Sequence, residues 1–312
     1  PASFGSEAGQ DSETRRCNAY SFAMMTVPLA TANAPATSRD QAEQLPQTLA
    51  ALRPLLVLTG AGISAGTGIP TYRDREGRWL RSDPIQHQEF VRDPARRQRY
   101  WGRSLLGWPG VRDAQPAPAH HSLARLEALG HVQHLVTQNV DRLHQRAGSR
   151  RITDLHGRLD RVRCLDCDSF SAREAMQERL EYANPDLREA SRLAAVRPDG
   201  DADLPDDLIA GVRVPECERC GGVLMPDVVF FGGSIPKDRV TACREQLEQS
   251  AALLVVGSSL RVYSGFRFCR WAVELGLPIF LLNPGTTRAD DLGRKWSIDA
   301  DTALQRLEEA LS

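Results

Sequence analysis

Six short apolar runs, separated by segments of helical periodicity, constrain the fold of this chain more than any other feature of its sequence. The runs cover residues 55–60, 134–139, 151–157, 227–232, 253–259 and 279–285. Helices are predicted at residues 39–51, 119–129, 236–250, 264–275 and 300–311. Unbroken apolar strands that alternate with helices are typical of a parallel sheet buried on both faces. The sequence therefore predicts an α/β fold with a mostly parallel sheet.

Polar residues stand at the ends of five of these runs, where a ligand would meet the sheet. They are Gly60, Gln138–Asn139, His156, Gly257–Ser259 and Asn283. In an open α/β sheet the ligand crevice lies at the carboxyl ends of the strands, so these residues are predicted to line one cleft. Residues 81–116 and 158–225 do not follow the strand and helix alternation. We interpret them as two insertions into the sheet domain.

The loop "TGAGISAGTGIPTYRD", Thr59–Asp74, follows the first run and has the glycines that bring backbone N–H groups close to phosphate. A dehydrogenase would continue into a second buried strand with an acidic residue about 20 positions on, to hold the ribose. Here the chain continues as "GIPTYRDREGRW", which cannot be such a strand. Arg73 can reach phosphate or ribose with its fork of donors. A glycine-rich turn without ligand is the plainer alternative.

The segment "TQNVDRLHQRAG", residues 137–148, places two amides and a carboxylate at the end of a strand. These groups suit ribose, a carboxamide or a positioned water, although Asn139 or Asp141 could instead cap a helix. His156 ends another strand on the same rim, and a neutral imidazole is a natural general base for a ribose hydroxyl. His144 lies in a predicted helix and is the weaker candidate.

Four of the seven cysteines form two close pairs, Cys164-x-x-Cys167 and Cys217-x-x-Cys220. Two such pairs are typical of a tetrahedral zinc site, whereas a redox pair is a less favoured alternative. Four thiolates close the coordination shell, so the zinc is predicted to be structural. Cys243 and Cys269 are expected in the core. Thiolate ligands favour a reducing compartment, and we predict a cytoplasmic protein.

The 312 residues carry a net charge of −1, which argues against nucleic acid or an anionic membrane as the main partner. No run approaches the roughly 18 consecutive apolar residues of a membrane span. Residues 1–34 are predicted to be a disordered leader, and a signal peptide is the weaker interpretation.

Seven motifs in this order resemble the sirtuin family of NAD-dependent protein deacylases. They are GAGISAGTGIPTYRD, TQNVDRLH, LHG, the paired CxxC, PDVVFFG, GSSLRVYSG and LNPG. The resemblance runs from about residue 38 to the C-terminus. "DPIQHQEFVRDPARRQRYWGR", "DLHG" and "ALLVVGSS" resemble the class II branch, which includes the mitochondrial lipoamidase and ADP-ribosyltransferase sirtuin. That branch also has a lengthened segment between its cysteine pairs.

The resemblance implies that NAD is a consumed co-substrate, that one structural zinc is bound, and that acyl-lysine proteins are the partners of a transferase. It implies His156 as the base and Asn139 as the second catalytic residue. The implied NAD contacts are Gly60, Ala61, Gly62, Arg73, Gln138, Asn139, Val140, Asp141, Gly257, Ser258, Ser259, Asn283, Gly285 and Asp301. The implied substrate contacts are Val229, Phe231, Gly232 and Val262, on two backbone edges between which an extended peptide can add as a strand. The chain is expected to be monomeric.

The implied fold is a Rossmann-like parallel sheet with a small zinc-binding domain and a helical insertion. Its NAD-binding domain is expected to cover residues 35–80, 117–160 and 226–312. The helical insertion is expected at 81–116 and the zinc-binding insertion at 161–225.

The chain departs from the family pattern at Tyr72, at Ser264, where a proline is frequent, and at Gly233. These positions bear on the acyl and peptide channel. Tyr100 and Arg103 have the spacing that another branch uses for acidic acyl groups, and an ordinary arginine-rich helix surface is the preferred interpretation. Protein mono-ADP-ribosylation and a zinc-ribbon module that senses NAD without consuming it are the alternative functions.

Overall fold

The computed structural model describes residues 38–69, 78, 84–187, 209 and 211–312. Arg73, Tyr72 and the polar segment 197–207 therefore lie outside the described residues.

A six-stranded parallel sheet forms the frame of the protein, in the strand order β3-β2-β1-β7-β8-β9. Every neighbouring pair in it is parallel. Its strands are β1 (Leu55–Thr59), β2 (Val132–Thr137), β3 (Ile152–Asp154), β7 (Ala252–Val256), β8 (Ile279–Leu282) and β9 (Arg294–Trp296). The predicted α/β parallel sheet is confirmed.

The central strand β1 shows why the apolar runs are unbroken. Leu55 and Val57 face a core formed with helices on one side of the sheet, whereas Leu56 and Leu58 face a second core on the other side. All four side chains are buried. Both faces of the strand are therefore covered, as expected for a parallel sheet.

The helices of the described residues are α1 (Ser38–Leu49), α2 (His87–Arg92), α3 (Pro94–Asp113), α4 (Pro118–Ala128), α5 (Leu143–Arg146), α6 (Arg173–Ala183), α7 (Lys237–Glu248), α8 (Tyr263–Glu274) and α9 (Ala300–Leu311). Of these, α1, α4, α7, α8 and α9 match the five predicted segments closely. Helices α1, α4 and α9 supply the core on one face, and α7 and α8 supply it on the other. Cys243 and Cys269 are fully buried in α7 and α8, as predicted.

A separate three-stranded antiparallel sheet corrects one prediction. It contains β4 (Gly157–Cys164), β5 (Phe170–Ala172) and β6 (Leu224–Val228), in the order β5-β4-β6. The run at 227–232 was expected in the parallel sheet, but its strand begins earlier and pairs antiparallel with β4. Leu224 and Met225 are buried in the core of this smaller sheet, and that packing determines the pairing.

The smaller sheet shares its core with the helical segment 84–113. Tyr100, Trp101 and Leu105 of α3 belong to the same apolar cluster as Val162 of β4 and Met176 of α6. The Trp101 indole donates a hydrogen bond to the Leu224 carbonyl at 3.1 Å. The two predicted insertions are therefore packed against each other.

None of the helices in the described ranges has both the length and the apolar character that crossing a membrane requires.

Candidate active site

A cleft of about 930 Å³ lies along the carboxyl edge of the parallel sheet. It receives the residues that follow β1, β2, β3, β7 and β8, together with the segment after β6. The predicted site residues that line it are Gly60, Ala61, Gly62, Gln138, Asn139, Val140, Asp141, His156, Val229, Phe231, Gly232, Gly257, Ser258, Ser259, Val262, Asn283 and Gly285. The sequence prediction of one cleft at the strand ends is confirmed.

Two glycine turns meet at the floor of the cleft. The Gly62 N–H donates to the Gly257 carbonyl at 2.8 Å. A Cβ on Gly62 would lie 2.8 Å from the Gly257 Cα, and Gly257 itself has a φ of 61°. A side chain is excluded at Gly62 and at Gly257, so the 3₁₀ helix Ala61–Thr67 can lie directly against the end of β7.

The amide of Gln138 joins the ends of β1 and β7. Its Nε2 donates to the Thr59 carbonyl at 3.2 Å and to the Ser258 hydroxyl at 2.8 Å. The next residue, Asn139, donates from Nδ2 to the Gly60 carbonyl at 3.3 Å and to Ser64 Oγ at 3.1 Å. The hydrogen bonds of both amides therefore fix the start of the glycine loop.

Asp141 is buried and accepts two hydrogen bonds. Ser64 Oγ donates to its Oδ2 at 2.9 Å, and the Leu143 N–H donates to its Oδ1 at 3.0 Å. Burial raises the pKa of Asp141 above its ordinary value, although the bonds from Leu143 and Ser64 act against that rise. Ser64 was not predicted as a site residue. It was quoted within the glycine loop, but nothing in the sequence pairs it with Asp141.

His156 has a defined hydrogen-bond partner on each ring nitrogen. Its Nδ1 lies 3.0 Å from the Gln138 carbonyl, and its Nε2 lies 2.8 Å from the Ser264 hydroxyl. Burial, together with the nearby cations Arg239 and Arg267, lowers the pKa of His156 to about 4, and the hydrogen bond to the Gln138 carbonyl acts against that shift. The imidazole is therefore neutral at pH 7 and able to accept a proton.

His144 is not a cleft residue, in agreement with its lower ranking. It is fully buried, and its Nε2 lies 2.9 Å from the Thr59 hydroxyl. Its ring lies against that of His120, with the centroids 4.6 Å apart and the planes tilted by 54°. Burial lowers the pKa of His120 to about 4. Both imidazoles support the loops beneath the cleft.

Asp301 does not line the cleft, although it was predicted among the NAD contacts. Its carboxylate instead accepts the Ala119 N–H at the start of α4, at 2.8 Å. The neighbouring Asp299 and Ala300 line the cleft at this end. The carboxylate is drawn away because the first N–H groups of a helix lack partners within the helix.

Tyr100 and Arg103 are both buried, so the interpretation as an ordinary helix surface is wrong. Tyr100 lines the cleft, with its ring edge-on against Phe90 and Phe230 at centroid distances of 5.4 and 5.1 Å. Arg103 is not among the lining residues. This end of the cleft is apolar over the described residues, and its walls are Ile69, Val140, Leu159, Val228 and Phe230.

The four paired cysteines converge at the far end of the small sheet. Their Sγ atoms all lie within 4.8 Å of one another. Cys164 and Cys220 are 3.5 Å apart, and Cys167 and Cys217 are 3.8 Å apart. Tetrahedral zinc with Zn–S bonds of about 2.3 Å places its sulfurs about 3.8 Å apart, so this donor set fits zinc. With four thiolates the coordination shell is closed, and the metal would stabilise the turns that carry the cysteines.

The protein has an open parallel sheet with a cleft at its carboxyl edge, and two glycine turns form the floor of that cleft. A module with four clustered cysteines is joined to the sheet. These features define a class of ligand-binding α/β proteins. Residues 60–264 match the model of the Sir2 family. The chain is 53% identical over 238 residues to an NAD-dependent protein deacetylase of Bordetella bronchiseptica, across 76% of this chain and 86% of that protein. This chain belongs to the Sir2 family, the sirtuins.

Two further comparisons agree with this assignment. The chain is 46% identical over 283 residues to the mitochondrial NAD-dependent protein lipoamidase sirtuin-4 of Bos taurus, across 89% of this chain and 87% of that protein. A solved complex of Sir2 with a p53 peptide and NAD⁺ is 28% identical with a TM-score of 0.67, across 86% of this chain and 97% of that chain. The predicted resemblance to sirtuins, including the class II branch, is confirmed.

Proposed function

We propose that this protein is an NAD-dependent protein-lysine deacylase, which transfers the acyl group of a modified lysine to ADP-ribose and releases nicotinamide. The names of its relatives and the Sir2 complex with NAD⁺ and peptide support this function. The observation that carries it is the neutral imidazole of His156 on the wall of the cleft, beside two glycine turns suited to a nucleotide.

NAD would lie along the carboxyl edge of the sheet. Its phosphates would meet the turns at Ala61–Gly62 and Ser258–Ser259, and its adenosine ribose would meet Asn283. The nicotinamide would enter the deep end beside Asn139, Val140 and Asp141. Because Ser64 and Leu143 each donate a hydrogen bond to the carboxylate of Asp141, that carboxylate is held in one orientation. Arg73 remains a proposed NAD contact.

The peptide would add as a strand between the backbone at Val229–Gly232 and the backbone at Val262. Its acyl-lysine would then reach the anomeric carbon of the nicotinamide ribose. The amide oxygen attacks that carbon as nicotinamide leaves, and an alkylamidate results. His156 next receives a proton from a ribose hydroxyl, which allows the 2′-oxygen to attack the imidate carbon. Water completes the release of lysine and O-acyl-ADP-ribose.

The acyl chain would occupy the apolar end of the cleft. Ile69, Leu159 and the ring of Tyr100 offer hydrophobic contact, whereas Arg103 is not among the residues that line it. We therefore propose that uncharged acyl groups are preferred over acyl groups that end in a carboxylate. Because the described walls of this end offer a carboxylate no cationic partner, its burial there would be strongly disfavoured.

The test is a panel of acetyl-, glutaryl- and lipoyl-lysine peptides incubated with NAD and followed by mass spectrometry. We expect free nicotinamide and O-acyl-ADP-ribose in equal amounts, with the glutaryl peptide the poorest substrate. His156→Ala should lower product formation by about 10²–10⁴-fold. ADP-ribose on protein with no O-acyl-ADP-ribose would support the transferase alternative. Release of no nicotinamide would contradict both enzymatic functions.

A further inference from the structure

The hydrogen bonds of His156 determine which of its nitrogens carries the proton. The Gln138 carbonyl can only accept, so His156 Nδ1 must carry the hydrogen that it shares at 3.0 Å. A neutral imidazole has one N–H, and therefore Nε2 is an acceptor with a single lone pair. The Ser264 hydroxyl, 2.8 Å away, must donate to that lone pair.

In this structure the Ser264 hydroxyl occupies the position at Nε2 that a ribose hydroxyl would need for a direct bond to His156. The Nε2 lone pair accepts one hydrogen bond, and Ser264 already supplies it. Ser264 Oγ keeps two lone pairs of its own, and Ser264 lines the cleft. A ribose hydroxyl can therefore donate to Ser264 while Ser264 donates to His156.

The position of Ser264 is set by the close approach of α8 to the end of β2. Gly265 follows Ser264, and a Cβ on Gly265 would lie 2.5 Å from Gln138 Oε1. The absence of a side chain at Gly265 lets the first turn of α8 rest on the same residue whose carbonyl holds His156. Gln138 thus lies against both His156 and the turn that carries Ser264.

We propose that Ser264 relays the proton from the nicotinamide ribose to His156, a role that rests on the proposed deacylase function. As the ribose oxygen attacks the imidate carbon, its proton passes to Ser264 Oγ and the Ser264 proton passes to His156 Nε2. Serine ends neutral, the imidazole becomes imidazolium, and Nδ1–H stays on the Gln138 carbonyl. No other reactant is required.

Two substitutions and a matched control test the relay. Ser264→Ala removes the hydroxyl, and Ser264→Thr keeps it. Ser250→Ala removes a serine hydroxyl that bonds to the Gln246 carbonyl at the end of α7, outside the residues that line the cleft. We expect Ser264→Ala to lower kcat for O-acyl-ADP-ribose formation about 10²-fold with the KM for NAD unchanged. The threonine and control variants should keep most of the activity.

Exchange of labelled nicotinamide into NAD separates a relay from a structural defect. That exchange reports the step before His156 acts, so Ser264→Ala should retain it while acyl transfer fails. Nitrogen-15 NMR of His156 should show hydrogen on Nδ1 and an accepting Nε2 in the wild type. Unchanged acyl transfer in Ser264→Ala, equal loss of both steps, or hydrogen on Nε2 would overturn the relay. A wild type without NAD-dependent deacylation would instead contradict the proposed function.

Discussion

The contact between the two glycine turns predicts that Gly257→Ala both destabilises the fold and weakens NAD binding. A Cβ at this position would lie 2.4 Å from the Ile63 nitrogen and 2.7 Å from the Gly62 carbonyl carbon. The left-handed conformation at a φ of 61° costs a residue with a side chain about 1–2 kcal/mol. Overpacking adds about 1–3 kcal/mol. We expect the free energy of unfolding to fall by about 2–5 kcal/mol in total.

Gly276→Ala is the matched control, because it separates the two terms. Gly276 has a φ of 68°, and nothing lies within 4 Å of a Cβ placed there. It should therefore lose about 1–2 kcal/mol, the conformational term alone. Urea unfolding would give both stabilities, and isothermal titration calorimetry would give the Kd for NAD. Affinity should fall in Gly257→Ala alone, since only that clash displaces the glycine loop. Equal losses of stability and unchanged affinity in both variants would refute the argument.

Three further predictions follow from the histidines, the cysteines and Asn139. Burial lowers the pKa values of His156 and His120 to about 4 from 6.5, so the unfolded chain binds more protons between these values. The free energy of unfolding, measured by urea titration, should stay level above pH 6.5 and decline as the pH falls toward 4, by up to about 1.4 kcal/mol per pH unit for each histidine; a rise over this range would contradict the assignment. Cys164→Ser should abolish zinc binding, measured as zinc content per chain, and should lower the melting temperature, whereas Cys269→Ser should keep the zinc. Asn139→Ala removes the bonds to Gly60 and Ser64 and should lower deacylation at least about tenfold without a comparable loss of stability; unchanged kinetics would show that the amide is dispensable.

The frame of the fold was predictable because the fully buried strands β1, β7 and β8 are apolar on both faces. The runs at 55–60 and 253–259 became β1 and β7, and their polar ends lie on the cleft. Strand β9 was missed, since three residues beginning with Arg294 and Lys295 carry no strand pattern. The run at 227–232 was assigned to the wrong sheet because an apolar run does not indicate which partner it will pair with.

The site residues were predictable where a motif ends a strand, and less so where the partner is distant in the sequence. Gln138 and His156 each end a strand within a motif and were therefore predictable. The bonds of Ser64 to Asp141 and of Ser264 to His156 join residues 77 and 108 positions apart, and no local spacing indicates them. Asp301 has a carboxylate of the kind that binds a ligand, but this carboxylate accepts a hydrogen bond from the first turn of helix α4 instead.

Strand β4 links the four-cysteine cluster directly to His156. It begins at Gly157, immediately after His156, and ends at Cys164, roughly 23 Å away at 3.3 Å per residue. Its partner β6 returns to Val229, whose N–H donates to the His156 carbonyl at 2.8 Å. The thiolate cluster thus lies at one end of the β4–β6 pair, and His156, the proposed proton acceptor, and Val229, a proposed peptide contact, lie at the other. A zinc ion at the cluster would fix the register in which Cys164 pairs with Leu224, and across an irregularity in the ladder Gly157 pairs with Val228. A metal remote from the reaction would therefore help to align the strands that carry it.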